Sequence, residues 1–479
     1  MITVVGTGTG GAPPSPGVCA GAALVVGGRR HLDAVALPEG AERIVLGPLA
    51  PALDAMETYV GKDLPVVVLA SGDPGFFGIV RALAERFGAG RLDVRPGVSS
   101  VAAAFARVGL PWDDAVVVSA HGRDLRTAVN LCRAHPKVAV LTGPGAGPAE
   151  LGAALSEGGV PGEGRVRTEG GVAGEDQRSG EDHQPGRGRQ TGVGEVPGGS
   201  QQPGYGRQTG TGQVPGGSPR PGGADRVLVV ATALGDPERE RVERVTPAEA
   251  AGRDWGAAVS VVLCLDEERA LGPVRTVAGV HAPPARWALE EDAFAHRDSM
   301  ITKFEVRALA LARLGPRPGD LVWDVGAGSG SVAVECARLG AAVVAVEKTA
   351  DGVERIRANA RAHGVDVRTV HGAAPDVLSG LADDPDAVFV GGGGRELPGI
   401  VAACARRARR AVVVAMAALD RVPAAREALT SAGLACDGVL LQSSRLAPLP
   451  GEVSRLAATN PVFLLWGERT PVSDEGVAQ

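Results

Sequence analysis

The stretch Leu321–Glu335, LVWDVGAGSGSVAVE, decides the fold class of the second half of the chain. An apolar run through Asp324 is followed by Gly326, Gly328 and Gly330, and then by residues with helical spacing. Glycine permits the sharp turn and the close backbone approach that an anionic or nucleotide-like ligand needs where a strand gives way to a helix. The stretch therefore predicts a β-strand, a ligand-binding loop and a helix.

The next apolar run supplies a second candidate ligand residue. AAVVAVEK ends with Glu347 and Lys348, and Glu347 lies roughly 20 residues beyond the glycine loop, where a carboxylate can accept hydrogen bonds from both ribose hydroxyls of a cofactor. The glycine pattern is D-x-G-x-G-x-G rather than G-x-G-x-x-G, which disfavours a nicotinamide dinucleotide. A glycine turn that serves packing alone is the other interpretation.

Apolar runs and helical stretches alternate on both sides of this motif. This order predicts a doubly wound α/β domain, in which ligands bind at the carboxyl ends of the strands. Strands are predicted at Leu321–Val325, Ala342–Val346, Val367–His371, Ala387–Val390, Ala411–Met416 and Pro461–Trp466, and helices at Lys303–Leu314, Ser329–Leu339 and Ala350–His363.

The first half of the chain shows a similar alternation, which predicts an α/β domain of largely parallel strands. In SGDPGFFG, Gly72 and Asp73 follow an apolar strand, so the carboxylate could hold the ammonium or ribose of a cofactor. In RPGVSS, Ser99 and Ser100 open a helix, whose amino terminus favours anions. An Asx turn at Asp73 and ordinary helix caps at the serines are the alternatives.

Residues 161–223 differ from the rest of the chain in composition. They are rich in Gly, Pro, Gln, Arg, Ser and Thr, and GRQTGVGEVPGGS at Gly188–Ser200 recurs in altered form at Gly206–Ser218. Such a segment cannot bury enough apolar surface to fold, which predicts disorder, with a partner-binding tract as the alternative. The predicted organisation is a first domain at 1–271 interrupted by this insert, a linker at 272–287, a second domain at 288–468 and a flexible tail at 469–479.

The composition disfavours several classes of protein. The 479 residues carry a formal net charge of −6, which disfavours a protein that tracks nucleic acid. No apolar run reaches the roughly 18–20 residues of a transmembrane helix, and no basic segment precedes the apolar start, so we expect a cytoplasmic protein with no membrane anchor. The six cysteines form no CxxC pair, which favours reduced thiols and predicts no metal site.

Four segments of the second half occur in a characteristic order. They are DSMITKFEVRALALARL at Asp298–Leu314, DVGAGSGSVAVE at Asp324–Glu335, PDAVFVGGGG at Pro385–Gly394 and SRLAPLPGEVSRLAATNPVFLLWG at Ser444–Gly467. Together they resemble the class I S-adenosylmethionine-dependent methyltransferases, and within them the CbiT family of decarboxylating precorrin methyltransferases, over about Ala288–Glu468.

This resemblance implies methylation of carbon 15 of the macrocycle and loss of carbon dioxide from the acetate on carbon 12. It implies that Asp324 lies near the amino-acid end of the cofactor, that Gly372 and Ala373 lie beside the adenine, and that Thr302 lies near the cofactor. An Asn/Asp-Pro-Pro-Tyr/Phe motif after the fourth strand is missing, which argues against amide or nucleic-acid substrates.

The motifs S-G-D-P, P-G-x-S-S and H-G-R in the first half resemble the class III tetrapyrrole methylases. VSSVAAAFARVGLPWDDA at Val98–Ala115 resembles their CbiE branch, and the match covers about Met1–Leu265 without the insert. This resemblance implies methylation of carbon 5. The first loop, GTGTGGAPP, lacks an acidic residue of the family, which puts a cofactor role for that loop in doubt.

The two resemblances together imply a fused CbiE–CbiT methyltransferase that converts precorrin-6B to precorrin-8X with two S-adenosylmethionine sites, and a homo-oligomer formed through the carboxyl-terminal domain. The cobalt-containing equivalents remain an alternative, as do an RNA or protein methyltransferase and a scaffold with decayed sites. No catalytic acid or base stands out. Arginine can bind a carboxylate with two hydrogen bonds, and the candidates for binding the macrocycle's carboxylates are His121, Arg123, His296, Arg297, Arg395 and Arg445, with surface charge as the other interpretation.

Overall fold

The computed structural model describes residues 1–7, 17–156, 226–236, 238–256, 260–272, 278–279, 286–297, 301–451 and 453–470. The predicted insert at 161–223 and most of the predicted linker and tail lie outside the described residues. Within these ranges, every helix is too short or too polar to cross a lipid bilayer.

The described residues of the amino-terminal domain form two five-stranded sheets, with strand orders β3-β2-β4-β1-β5 and β6-β7-β10-β8-β9. The strands are β1 (Ile2–Gly6), β2 (Leu24–Gly27), β3 (Glu42–Val45), β4 (Val66–Ala70), β5 (Leu92–Arg95), β6 (Val116–Ser119), β7 (Lys137–Leu141), β8 (Arg226–Thr232), β9 (Arg241–Val245) and β10 (Ser260–Asp266). The helices are α1 (Arg29–Asp33), α2 (Leu49–Gly61), α3 (Val80–Phe87), α4 (Ser100–Val108), α5 (Arg126–Ala134), α6 (Pro148–Ser156) and α7 (Pro247–Ala251).

The expectation of largely parallel strands is confirmed for the first sheet and wrong for the second. All four pairings of the first sheet are parallel, whereas β10 runs antiparallel to both β7 and β8, and β9 runs antiparallel to β8. The connection from β8 to β9 is too short for the crossover that a parallel pair needs, so the two strands form a hairpin.

The described residues of the carboxyl-terminal domain form a seven-stranded sheet, ordered β13-β12-β11-β14-β15-β19-β16, and a separate hairpin of β17 and β18. The strands are β11 (Leu321–Val325), β12 (Ala342–Glu347), β13 (Arg368–His371), β14 (Ala387–Val390), β15 (Ala411–Met416), β16 (Ala435–Leu441), β17 (Ser444–Leu449), β18 (Val453–Ala458) and β19 (Val462–Glu468). The helices are α8 (Phe304–Leu314), α9 (Ser331–Arg338), α10 (Ala350–Ala362), α11 (Leu397–Arg407) and α12 (Val422–Ser431).

This sheet separates two hydrophobic cores. Trp323 and Val344 belong to one core, whereas their neighbours Val322 and Val343 belong to the other, as the two-residue period of a strand requires. Strands β11 to β15 run parallel, and β19 pairs antiparallel with β15. The predicted doubly wound domain is therefore confirmed, with its parallel strand ends gathered at one edge.

The two domains belong to one compact unit. They meet where the parallel strands of the seven-stranded sheet begin. Arg126 on α5 donates to both carboxylate oxygens of Asp386, at 3.0 and 2.7 Å, just before β14. One of these oxygens also accepts the backbone N–H of Leu321 at 2.7 Å, and Asn130 donates to the Gly319 carbonyl at 3.0 Å. The carboxyl ends of β11 to β14 are thus left free of this contact.

Candidate functional site

The glycine loop of the carboxyl-terminal domain begins where β11 ends. Gly326, Gly328 and Gly330 have φ angles of +74°, +57° and +71°, a region that side-chain-bearing residues rarely adopt. A Cβ atom on Gly330 would lie 3.0 Å from the side chain of Ile356, so α10 also requires glycine there. The structure thus brings the three predicted glycines into one tight turn beside β12.

The carboxylate of Glu347 ties this loop to the end of β12. One oxygen accepts the backbone N–H of Gly328 at 3.0 Å, and the other accepts the N–H and the hydroxyl of Thr349 at 3.0 and 2.8 Å. The residue is 7% exposed, so these bonds fix its orientation. Carboxylate oxygens carry further lone pairs, which leaves Glu347 able to accept hydrogen bonds from a ligand.

Asp324 lies beneath the same loop and is 1% exposed. One carboxyl oxygen accepts the backbone N–H of Ala333 at 3.0 Å, and the other has no hydrogen-bond partner among the described residues. Burial raises the pKa of Asp324 to about 7. The negative charge of Glu347 raises this pKa a little further, whereas the hydrogen bond from Ala333 lowers it. A buried carboxyl with one unused oxygen is suited to a positively charged group.

The other predicted cofactor residues of this domain lie around the same edge. The backbone N–H of Gly372 donates to the Glu347 carbonyl at 3.0 Å, and Ala373 follows at an exposed position. Thr302 is half-buried before α8, and its carbonyl accepts Arg307 Nη1 at 2.5 Å. Within the described part of the chain, no hydrogen bond joins the Thr302 side chain to the glycine loop.

In the amino-terminal domain, the loops after β1, β4 and β5 converge. The backbone N–H of Gly97 donates to the Gly72 carbonyl at 3.2 Å, and a Cβ on Gly6 would lie 2.2 Å from that same carbonyl oxygen. Gly72 has a φ of +58°, and its Cβ would lie 3.3 Å from the Cα of Ser99. The S-G-D-P and P-G-x-S-S motifs are therefore in contact.

Local hydrogen bonds engage two of the predicted polar residues. Asp73 accepts the Gly75 N–H at 2.8 Å, which is an Asx turn, and Ser99 accepts the Ala102 N–H at 3.1 Å as the cap of α4. Ser100 is the first residue of that helix. The second carboxylate oxygen of Asp73 makes no hydrogen bond within the described residues, which leaves it available to a ligand.

A histidine cluster beside the S-G-D-P loop is not predicted from the sequence. The Thr7 hydroxyl donates to the Ala70 carbonyl at 3.0 Å, so it accepts from Nδ1 of His31, also at 3.0 Å. Nε2 of His31 then accepts from Ser71 Oγ at 2.9 Å, and Arg30 donates to that same serine oxygen. These residues follow β1, β2 and β4, which are neighbours in the sheet.

The His31 ring is neutral near physiological pH. Its burial, followed by the charge of Arg30, lowers the pKa of His31 to about 4. A neutral ring can accept from Ser71 and donate to Thr7 at the same time, which holds Ser71 in place at the start of the loop. The sequence feature that could have indicated this cluster is the run Arg29-Arg30-His31, which follows β2 and begins α1.

The six candidates for binding substrate carboxylates are divided between the two domains. Arg445 is already paired, since its guanidinium donates to Glu305 at 2.9 and 2.8 Å and to Glu291 at 2.9 and 3.0 Å. A substrate carboxylate would have to compete with two carboxylates already bound there. The other candidates lie at exposed positions: His121, Arg123, His296, Arg297 and Arg395.

A cavity of about 240 Å³ adjoins the glycine loop. Its walls are Gly391–Gly394 after β14, Ala415–Ala418 at the end of β15, and Arg421 just before α12. A Cβ on Gly326 would lie 3.3 Å from the backbone nitrogen of Gly392, so the cavity and the loop are neighbours. Gly391–Gly394 belong to the PDAVFVGGGG segment that carries the family resemblance, whereas Arg421 is not among the residues predicted from the sequence.

Comparisons with known proteins agree with this architecture. Residues 292–463 match the family described as "Precorrin methyltransferase domain", and residues 1–178 match "Tetrapyrrole (Corrin/Porphyrin) Methylases". A precorrin-6Y C(5,15)-methyltransferase [decarboxylating] from Sinorhizobium is 33% identical over 407 residues, 82% of this chain and 79% of the relative. A probable cobalt-precorrin-6B C(15)-methyltransferase (decarboxylating) from Pyrobaculum calidifontis is 38% identical over 34% of this chain and 87% of its own.

Among solved structures, a precorrin-6y C5,15-methyltransferase from Geobacter metallireducens is 31% identical and covers 38% of this chain and 97% of its own, with a TM-score of 0.36. The two family matches and the site geometry define a two-domain methyltransferase, and families of this kind use S-adenosylmethionine. The chain belongs to the decarboxylating precorrin-6Y C(5,15)-methyltransferase family.

We predict that Asp324→Asn makes the cofactor-free protein more stable at pH 8. The folded pKa of Asp324 lies above the unfolded value, so its contribution to stability is complete below pH 3.8 and is lost as the pH rises to about 7. The asparagine carries no charge and keeps an oxygen for the Ala333 N–H. The stability gain of Asp324→Asn over the wild type should grow between pH 4 and 7, to roughly 4 kcal/mol.

Thermal unfolding of the cofactor-free chain across this pH range measures the effect. Asp351→Asn is the control, because the exposed Asp351 pairs with Arg355 at 2.9 Å and its pKa is lowered by that hydrogen bond. This control should be slightly less stable than the wild type at neutral pH. A stability difference between Asp324→Asn and the wild type that does not change with pH would refute a raised pKa.

Proposed function

We propose that this chain methylates carbons 5 and 15 of precorrin-6B and removes carbon dioxide from the acetate on carbon 12. The observation that carries the proposal is the match to a relative named for both methylations and for decarboxylation, over 82% of this chain. The two converging loop clusters, one in each domain, supply a candidate cofactor site for each methylation.

In the carboxyl-terminal site, the residues fit S-adenosylmethionine, which supplies an electrophilic methyl group when bound. Glu347 would hold the ribose hydroxyls, and the unused oxygen of Asp324 suits the cationic amino-acid end. The backbone of Gly326–Gly330 allows close approach without side-chain interference. These residues align the methyl donor with the neighbouring cavity and exclude water, which are the main tasks in transfer to a nucleophilic carbon.

We propose a second cofactor site in the amino-terminal domain. Asp73, Gly72 and the loop of Ser99 and Ser100 lie together at the carboxyl ends of β4 and β5. Because Asp73 Oδ1 and Ser99 Oγ already bind backbone N–H groups, the cofactor would use the remaining Asp73 oxygen and the loop backbone.

The cobalt-free macrocycle is the proposed substrate. The relatives that match more than four-fifths of the chain are named precorrin-6Y methyltransferases, whereas those named for cobalt-precorrin match about a third of it. The glycine-lined end of β14 and the missing Asn/Asp-Pro-Pro-Tyr/Phe motif favour the macrocycle over nucleic acid.

We also propose that the chain associates with itself through the carboxyl-terminal domain. The hairpin of β17 and β18 stands apart from the main sheet, and its paired Leu446 and Leu456 are 77% and 68% exposed. Leu449 and Val453 form a second pair, 42% and 55% exposed, on the opposite face of the hairpin, because side chains alternate along a strand. Exposed apolar side chains on a hairpin that stands apart from the main sheet favour a protein interface.

The double variant Leu446→Ser/Leu456→Ser should shift the protein to a lower oligomeric state, because it removes two of the most exposed apolar side chains from the hairpin. Light scattering coupled to size exclusion measures the mass. Leu419→Ser is the control, since Leu419 is 66% exposed but lies outside the hairpin. A monomeric wild type, or equal masses for all three proteins, would contradict self-association through this surface.

Mass spectrometry of precorrin-6B incubated with the protein and S-adenosylmethionine tests the main proposal. The wild type should add two methyl groups and release one carbon dioxide. Glu347→Ala should slow the carbon-15 methylation and the decarboxylation by about 10- to 100-fold, because the variant loses charge-assisted hydrogen bonds. Asp73→Ala should slow only the other methylation.

Glu354→Ala is the matched control, since Glu354 is an exposed carboxylate on α10 close in sequence to Glu347. It should retain both activities. An unchanged macrocycle mass with the wild type would reject the substrate, and loss of both methylations in either single variant would reject the assignment of one reaction to each domain.

A further inference from the structure

The cavity beside the glycine loop is too small to hold a whole tetrapyrrole macrocycle. At about 240 Å³ it falls below the usual 300–1,000 Å³ of ligand pockets, so it can admit only part of a tetrapyrrole-sized ring. Its position between the ends of β14 and β15 places that part next to the methyl-donor loop. The cavity is therefore suited to a peripheral group of the substrate.

Arg421 gives this cavity its charge. It is the one charged residue among the described lining residues, which are otherwise glycine, alanine, leucine and methionine. It is half-buried, and within the described chain its guanidinium forms no ion pair and no side-chain hydrogen bond. Only its backbone N–H is used, donating to the Ala418 carbonyl at 3.2 Å. A half-buried guanidinium with five free donors favours an anionic ligand.

We propose that Arg421 binds a peripheral carboxylate of the macrocycle and thereby positions the ring for methylation in the carboxyl-terminal site. The inference rests on the proposed function, whose substrate bears carboxylates. Two parallel hydrogen bonds from a guanidinium to a carboxylate fix both distance and orientation. The other lining residues are glycine or apolar, so within the described lining no other charged side chain competes with Arg421 for the carboxylate.

The carboxylate bound by Arg421 is one that the product retains. Decarboxylation breaks a carbon–carbon bond, leaves the electron pair on the ring side and releases neutral carbon dioxide. Pairing the departing carboxylate with a guanidinium would stabilise the ground state more than the transition state, which slows the reaction. A retained carboxylate carries no such penalty, and its binding supports methylation and decarboxylation equally.

Arg421→Gln tests this assignment in the full-length protein. With precorrin-6B, the variant should raise the KM of carbon-15 methylation and of carbon dioxide release in parallel, by about 10- to 100-fold. The affinity for S-adenosylmethionine and the melting temperature should stay at the wild-type values. Arg421→Lys should recover part of the lost affinity, since it restores the charge without the paired donors.

Arg426→Gln is the matched control, because Arg426 is exposed on α12 and does not line the cavity. It should behave as the wild type. Wild-type KM values for Arg421→Gln, or faster carbon dioxide release with slower methylation, would overturn the proposal. If the wild type itself leaves precorrin-6B unchanged, the proposed function fails instead, so the two failures are distinguishable.

Discussion

The hydrogen bonds that Glu347 accepts join three neighbouring parts of the carboxyl-terminal domain. They link the glycine loop after β11, the end of β12 and the first turn of α10, where Thr349 caps the helix. A Cβ on Gly352 would lie 2.6 Å from Cγ of Glu347, so the backbone of α10 approaches this side chain closely. The glycine loop is thus fixed against β12 and α10, and Asp324 lies buried beneath it.

The contact between the domains leaves this edge unobstructed. Parallel strands place all their carboxyl ends at one edge, and the partners of α5 lie at the opposite edge. Asp386 contributes both to the contact between the domains and to the seven-stranded sheet. It pairs with Arg126 and also accepts the backbone N–H of Leu321, the first residue of β11. Arg226 and Arg269 add a second contact by sharing Asp366, at 2.8 and 2.5 Å. Among the described residues, these contacts between the domains lie away from the carboxyl ends of the parallel strands in the seven-stranded sheet.

The sequence predicted the features that depend on residues close together in the chain. The glycine motif, the central strands and Glu347 follow from backbone sterics and strand-to-helix spacing. The edge strands β3 and β5 were not predicted, because they are short and carry charged residues that suit an edge but obscure the apolar pattern. In β16, an added Cβ on Gly438 would lie 2.3 Å from Cδ2 of Leu465, whose side chain would have to move. This glycine interrupts the apolar pattern that predicts a strand.

Features that depend on long-range contacts could not be predicted in this way. The chain has many arginines, and only the fold shows that Arg445 is neutralised by two glutamates while Arg421 faces a cavity. The bridge from His31 to Thr7 and Ser71 joins residues from three separate strand ends. The candidate substrate residues were therefore the least predictable part of the site, because charge alone does not distinguish a ligand from a structural ion pair.

The most direct test of the central claim is the number of S-adenosylmethionine molecules that one full-length chain binds. We propose one site in each domain, at the ends of β4 and β5 and at the ends of β11 and β12. Equilibrium dialysis with radiolabelled cofactor at saturation should give two molecules bound per chain. A value of one at saturation would contradict the two-site account.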